Sequence, residues 1–143
     1  RIELWKANLE FFKARPLFGV GRAHNLEIAG QYLQARHPGE QVFIGHAHNN
    51  FLDVLGSMGL LGIVSWLGFN FWIFGALLRI LREQSRPEWQ RALAVAWLAA
   101  FVVLHLNGLT NLNFWEGKVM HQYFLMIAWI LSLSTVPTPR VSQ

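Results

Sequence analysis

The chain has 143 residues and a net charge of +4, and 53% of its residues are hydrophobic while only 14% are charged. This composition is more apolar and less charged than that of an average soluble domain. Cysteine is absent, which excludes disulfides and thiolate metal sites. The charges lie outside long apolar runs, so the positive balance favours contact with membrane lipids and not with nucleic acid. The alternative of a soluble all-α core is disfavoured by the apolar segments described below.

Residues 1–58 are predicted to form a helical segment outside the membrane. In residues 1–15, apolar side chains recur at helical spacing and predict a helix on the membrane surface; they are Ile2, Trp5, Leu9 and Phe12. The following Pro16-to-Gly21 turn contains two glycines, which permit positive φ or close backbone approach. A second short helix is expected over residues 23–36, and residues 37–47 form a polar connection. Because residue 1 is not methionine and no signal peptide is recognisable, we expect a piece of a longer protein.

Residues 59–143 are predicted to cross the membrane three times. The apolar segments are residues 59–78, 92–112 and 119–136, each long enough for a span. Between the first two, residues 79–91 contain four arginines, which places this loop in the cytoplasm by the positive-inside rule. Residues 1–58 then face the periplasm of a Gram-negative cell. Six Lys or Arg residues within 1–36 oppose this orientation, and they suggest an anionic ligand on that side.

Arg22 and the His48-Asn49 pair are candidate binding or catalytic residues. Arg22 follows the glycine turn, and its planar fork of donors matches phosphate oxygens. Arg1 could point in the same direction, although either arginine could instead bind lipid head groups. His48 can exchange a proton near neutral pH, and the start of a helix disfavours its charged form. A capping or structural role for His48 is the alternative, and Asn49 or Asn50 could cap the helix that follows.

Other histidines permit further hypotheses. His46 and His48 are two residues apart and would share one side of an extended chain, as a metal pair requires, but no suitable carboxylate stands nearby. We therefore predict no metal site. Asp53 is expected to be solvated or salt-bridged near the water interface. His105 and His121 lie near span ends, where imidazoles usually bridge helices, although a proton relay is also open.

The order of these motifs resembles the O-antigen ligase and O-antigen polymerase family of membrane glycosyltransferases. The motifs are an Arg-x-x-x-Trp helix at Arg1 and Trp5, the Pro16-to-Gly21 turn, and His48-Asn49 followed by Gly59 and Gly62. The His-Asn-to-glycine spacing alone is weakly specific. Three motifs in the same order over residues 1–62 are much more specific.

The resemblance implies the C-terminal part of an all-α, polytopic enzyme of the bacterial inner membrane with a GT-C-like fold. Such enzymes transfer a glycan from undecaprenyl pyrophosphate to lipid A-core, another repeat unit or a protein hydroxyl on the periplasmic face. By position, the essential arginine and histidine of the family correspond to Arg1 and His48. His48 would deprotonate the acceptor or hydrogen-bond the pyrophosphate. Arg22, Asn49 and His46 are candidate substrate-binding residues, although His46 lies outside the family pattern, and no cofactor is implied.

Two other classes of protein remain open from the sequence. A non-catalytic transporter or permease could use the arginines to guide an anionic lipid, and it would bind substrate without transferring a glycan. A metal- or haem-binding membrane subunit would need ligands that face one another across a bundle, which the spacing does not specify. A fragment with about three of the family's roughly dozen spans is expected to be inactive alone.

Overall fold

In this computed structural model, residues 1–41 and 45–135 are described, and all regular structure in them is α-helical, which confirms the predicted all-α class. Five helices form in the described part of the chain: α1 (Ile2–Ala14), α2 (Arg22–Arg36), α3 (Asn50–Arg82), α4 (Glu88–Asn107) and α5 (Gly117–Thr135). The first two correspond closely to the two short helices predicted from the sequence. They pack against the beginning of α3, which joins this part of the protein to the long apolar helices.

A small apolar core joins α1 to α2. It contains Leu4, Ala7, Phe11, Ala29 and Leu33. The apolar stripe predicted to face the membrane is a different face of α1, where Ile2 remains 67% exposed. Because one face packs inside the protein while the other keeps exposed apolar side chains, α1 can still rest on a membrane surface. That placement stays a prediction.

Helix α3 is interrupted at Gly59, whose backbone has φ 66° and ψ −162°. At such a break, carbonyls before it and N–H groups after it lose partners in the helical hydrogen-bond ladder. The turn between α1 and α2 pairs with two of these carbonyls and two of these N–H groups. Val20 and Gly21 donate to the carbonyls of Gly56 and Ser57 at 3.1 and 2.9 Å, and Leu60 and Leu61 donate to the carbonyls of Pro16 and Leu17 at 2.7 and 3.2 Å. The turn therefore replaces the missing helical partners and locks α1 and α2 onto the break.

Two glycines make this close backbone contact possible. Gly19 and Gly59 both have positive φ, and a Cβ atom on either would lie within 2.6 Å of backbone atoms of the opposite segment. Real Cβ contacts do not occur at such distances. The expectation that glycines in the Pro16-to-Gly21 turn permit positive φ or close approach is thus confirmed.

Helices α3 and α4 are long and apolar enough to cross a membrane. Few of their apolar side chains are buried inside the protein, and Phe71, for example, is 70% exposed. This distinguishes them from the core helices of a soluble protein, whose apolar side chains are mostly buried. The first predicted span, residues 59–78, lies wholly within α3. The second was predicted too far along the chain, because α4 begins at Glu88 and ends at Asn107.

Helix α5 forms where the third span was predicted, but among the helices of the described residues only α3 and α4 combine the length and hydropathy expected of a membrane span. The third span therefore stays a prediction, and its expected end at Pro137 and Pro139 lies outside the described residues. The predicted loop 79–91 is largely helical, since α3 continues to Arg82 and α4 starts at Glu88.

A polar cluster connects α3, α4 and α5 within the apolar bundle. Asn70 Oδ1 accepts a hydrogen bond from the Tyr123 hydroxyl at 2.6 Å and lies 2.8 Å from His105 Nε2. Hydrogen bonds of this kind join helices where few other polar partners are available. The expectation that His105 bridges helices is confirmed.

Candidate functional site

The His46-to-Asn49 segment is held between the start of α1 and the start of α3. The Trp5 indole donates a hydrogen bond to the carbonyl of Ala47 at 2.7 Å. The tryptophan of the Arg-x-x-x-Trp motif thereby ties the first turn of α1, which follows Arg1, to the histidine segment. Motifs that are more than forty residues apart in the sequence meet at this hydrogen bond.

His48 has a backbone conformation that is uncommon for residues other than glycine. Its φ is +51°, in the left-handed region, which costs a residue with a Cβ atom about 1–2 kcal/mol. Histidine is among the residue types that tolerate this region best, and strained backbone is concentrated at functional positions. The His48 ring lies against the His46 ring, with 4.1 Å between their centroids. The two imidazole rings are therefore in direct contact.

The pKa of His48 is lowered from its ordinary value near 6.5. Partial burial disfavours the charged ring most, and the positive charges of His46 and Arg1 add to this effect, whereas a hydrogen bond with Asn111 opposes it. His48 is therefore mainly neutral at pH 7. This is the protonation state that a general base requires.

Both ends of the Asn49 side-chain amide form hydrogen bonds within the protein. Its Oδ1 accepts from the backbone N–H of Leu52 at 2.9 Å, and its Nδ2 donates to the carbonyl of Leu109 at 2.8 Å. The first bond caps α3, as predicted for Asn49 or Asn50. Asn50 instead binds the α4–α5 connection, with Nδ2 donating to Asn113 Oδ1 at 2.7 Å.

A cavity of about 470 Å³ opens beside the histidine segment, and it is called the polar cavity because four of its seven lining residues are polar or charged. Its lining residues come from α2, the histidine segment, α3 and the α4–α5 connection: Arg22, Asn25, Leu26, His46, Asp53, Leu112 and Trp115. Arg22 projects over Trp115, with the guanidinium carbon 3.9 Å from the ring centroid. Ion pairs in the described part of the chain involve other residues, and the Asp53 carboxylate in the same cavity acts on Arg22 only through a longer electrostatic interaction.

The expectation that Asp53 is solvated or salt-bridged is wrong. Asp53 is only 5% exposed, and its carboxylate accepts hydrogen bonds from Asn25 Nδ2 and Trp115 Nε1, both at 3.2 Å. The reason is that α1, α2 and the α4–α5 connection cover the first turns of α3, where water would otherwise reach the carboxylate. Neutral donors therefore satisfy the carboxylate inside the protein.

A second cavity of about 690 Å³ lies on the other side of Arg22 and Trp115. Its remaining walls are mostly apolar and follow α3 past the break at Gly59; they include Phe18, Met58, Leu61, Trp66 and Phe69. The charged side chain of Arg22 thus lines both the polar cavity and this apolar groove.

The structure brings most of the predicted site residues together. Arg22 and His46 line the same cavity, the His48 ring contacts the His46 ring at a tilt of 55°, and the charge of Arg1 acts on His48. Asn49 is adjacent in sequence but serves as a helix cap. His46, which the sequence motif did not include, connects His48 to the cavity. Within residues 1–41 and 45–135, no group of three His, Asp or Glu residues is placed to hold a metal ion.

Sequence reasoning did not identify Asn25, Asp53 or Trp115 as site residues. Each belongs to a different part of the chain, and their meeting depends on the packing of α2 and the α4–α5 connection onto α3. A tryptophan in the polar connection after α4 was the only local signal, since a large indole there requires a partner for its N–H group.

These helices and this cavity define a helical membrane protein with a polar site, which contains Arg22 and Asp53, at one end of its apolar helices. Residues 1–67 match the family model described as O-antigen ligase. The chain is also 31% identical over 94 residues to the exopolysaccharide production protein ExoQ of Rhizobium meliloti (strain 1021). Over these residues the chain is similar to the O-antigen ligase family.

The match to ExoQ covers 62% of this chain and 21% of the relative, so the chain spans about a fifth of the length of that protein. No solved structure matches the chain. The family match ends at residue 67, inside α3, and so contains the turn, the histidine segment and the break at Gly59.

Proposed function

We propose that the chain forms part of a membrane glycosyltransferase that transfers a glycan from undecaprenyl pyrophosphate to an acceptor hydroxyl at the periplasmic face. The observation that supports this most is the position of Arg22. Its guanidinium forms no ion pair within 4.0 Å in the described residues, and it lines both the polar cavity and an apolar groove. A polyprenyl pyrophosphate has the same division between an anionic group and an apolar chain.

The chemistry needs charge stabilisation at the leaving group. The bond between the sugar C1 and the pyrophosphate oxygen breaks, and the acceptor oxygen forms the new bond to C1. Arg22 and Arg1 would neutralise the negative charge that grows on the departing pyrophosphate, an electrostatic effect that often dominates catalysis. The acceptor hydroxyl loses its proton in the same reaction.

His48 is the proposed acceptor of that proton. Its lowered pKa keeps the ring neutral near pH 7, and its contact with His46 connects it to the cavity wall. The competing role for His48 is a hydrogen bond to the pyrophosphate. His46 would bind the glycan or phosphate from the cavity wall, and Asn49 would contribute chiefly by capping the beginning of α3.

The acceptor is proposed to be a glycan. The relative's name associates it with exopolysaccharide production, and chain extension on another repeat unit would serve that purpose. Lipid A-core and a protein hydroxyl are the other acceptors considered, and the same site would serve each of them.

The test uses membranes that contain the intact parent protein, a labelled undecaprenyl pyrophosphate glycan and a panel of the three acceptor classes. His48→Ala is compared with the wild type and with His121→Ala, a control at an exposed histidine on α5. We expect transfer to one acceptor class, a loss of about 100-fold or more in His48→Ala, and little change in His121→Ala.

Two other outcomes would contradict the proposed mechanism or the proposed function. Equal transfer by His48→Ala and the wild type, at equal expression, would make His48 structural and overturn the proposed mechanism. Donor binding by the wild type without transfer to any acceptor would favour a permease that guides an anionic lipid.

A further inference from the structure

The proposed mechanism does not use the buried carboxylate of Asp53 or the indole of Trp115. Asp53 has no cation within ion-pair distance in the described part of the chain, and its hydrogen-bond donors are Asn25 and Trp115. A buried carboxylate costs free energy, even when neutral donors satisfy it. Its position in the wall of the cavity suggests that this cost has a function.

The carboxylate fixes the orientation of the indole. Trp115 Nε1 donates to Asp53 Oδ2 at 3.2 Å, which joins the α4–α5 connection to α3. On the other side, Asp53 Oδ1 accepts from Asn25 Nδ2, and Asn25 also donates to Asn8 Oδ1 at 3.1 Å. Asn8, Asn25 and Asp53 are all buried. The indole edge is therefore held by a hydrogen-bonded network that begins in α1.

The fixed indole in turn presents its face to Arg22. The guanidinium carbon lies 3.9 Å from the ring centroid, within the range of a cation–π interaction, and tryptophan is the strongest partner for such contacts. Stacking occupies the face of the guanidinium but leaves its N–H donors, which lie in the guanidinium plane, free for phosphate oxygens. A long arginine side chain is thereby restricted to an orientation from which it can bind a phosphate.

We propose that Trp115, oriented by Asp53, is a positioning residue that holds Arg22 for the pyrophosphate of the lipid-linked donor. This inference rests on the proposed function, because it names a further part of the same donor site. Trp115 acts through Arg22 and does not itself take part in bond breaking.

A double-mutant cycle in the intact parent protein tests this relation. Transfer kcat/KM for the donor is measured in the wild type, Arg22→Ala, Trp115→Leu and the double variant. We expect Trp115→Leu to lower kcat/KM on the order of tenfold, from the magnitude of cation–π contacts. In the Arg22→Ala background the same change should cost less than about twofold, because the residue to be positioned is absent.

Two conservative variants distinguish the hydrogen bond of the indole N–H to Asp53 from the contact of the ring face with Arg22. Trp115→Phe keeps an aromatic ring beside Arg22 but loses the N–H donor to Asp53. We therefore expect its kcat/KM to lie between the values of the wild type and Trp115→Leu. Asp53→Asn keeps an oxygen acceptor for the indole, so we expect it to lower kcat/KM less than Trp115→Phe does. Trp89→Leu, at a tryptophan that is 61% exposed on α4, is the control for removal of an indole.

The positioning role is overturned if Trp115→Leu costs the same factor with and without Arg22, since that result describes a merely structural residue. It is also overturned if Arg22→Ala leaves kcat/KM unchanged, or if Asp53→Asn lowers kcat by about 100-fold or more while donor KM is constant, which would indicate a proton acceptor. If the wild type transfers no glycan, the proposed function fails. The same cycle measured as the Kd for undecaprenyl pyrophosphate then still tests the positioning of Arg22.

Discussion

His48 is neutral at pH 7 for reasons that belong to its immediate surroundings. Partial burial and the charges of His46 and Arg1 lower its pKa, and only the hydrogen bond with Asn111 acts in the opposite direction. The neighbouring Asn49 looks equally polar in the sequence, yet both ends of its amide are used inside the protein. The adjacent residues of this motif therefore differ: the neutral His48 ring can accept a proton, whereas the Asn49 amide is already hydrogen-bonded within the protein.

The pH dependence of transfer should reflect this lowered pKa. If neutral His48 is the base, kcat/KM is constant at and above neutral pH and falls on acidification with a midpoint below 6.5. Arg1→Gln removes a charge that disfavours the imidazolium, so the midpoint of its residual activity should move to higher pH. Lys13→Gln, at an exposed residue in the last turn of α1, should leave the midpoint unchanged.

The pH profiles are measured as initial transfer rates of the intact protein at low donor concentration, where the rate is proportional to kcat/KM. A rate that instead rises on acidification through the same midpoint would contradict the base and would indicate an imidazolium that binds the pyrophosphate.

The break in α3 shows how one turn can organise the whole site. The Pro16-to-Gly21 turn pairs with the backbone groups that the break at Gly59 releases, so α2 must begin beside the first turns of α3. Arg22, the first residue of α2, and Asp53 thereby reach the same cavity. The site is built by backbone contacts as much as by its side chains.

Gly59→Ala should destabilise the protein and displace Arg22. A side chain at this position would have φ +66° and a Cβ atom 2.5 Å from the backbone of Leu17, so we expect a loss of roughly 2–4 kcal/mol in unfolding free energy. Gly68→Ala is the matched control on the same helix, because its Cβ would meet open space. The measurement is the Tm of the purified intact protein in detergent, together with donor KM.

Gly68→Ala should leave the Tm unchanged or slightly higher, since alanine favours a helix interior over glycine by about 1 kcal/mol. Equal Tm values for the two variants would show that the close approach of the turn to α3 is dispensable.

At this scale the sequence predicts local features well and their partners poorly. Helical spacing and Pro16 define α1, and the glycines identify the turn, because these signals depend on neighbouring residues. The burial of Asp53 was missed, because it depends on Asn25 and Trp115, which are 28 and 62 residues away along the chain. No spacing rule relates such positions. The exchange of hydrogen bonds between the turn and α3 was missed for the same reason.

For the whole molecule, the amino-acid composition indicates a membrane environment more directly than the contacts within the protein do. The apolar runs predict the membrane class, and the exposed apolar faces of α3 and α4 agree with it. The predicted second span extends past the end of α4, because Leu109 and Leu112 are apolar whereas the helix already ends at Asn107. The Asn70–His105–Tyr123 cluster then joins the three long helices by specific hydrogen bonds in an otherwise apolar bundle.

The orientation of the protein in the membrane is a separate prediction that follows from charge. Four arginines lie between residues 79 and 91, at the end of α3 that is distant from the cavity, and the positive-inside rule assigns this end to the cytoplasm. Single cysteines at Gln34 on α2 and Ser85 in the connection between α3 and α4 test this, since both positions are exposed. In a cysteine-free background of the intact protein, a membrane-impermeant maleimide should label Gln34→Cys in spheroplasts and Ser85→Cys only after permeabilisation. The reverse pattern would place the cavity in the cytoplasm and remove the periplasmic reaction, whereas labelling of both from one side would show that α3 does not span the membrane.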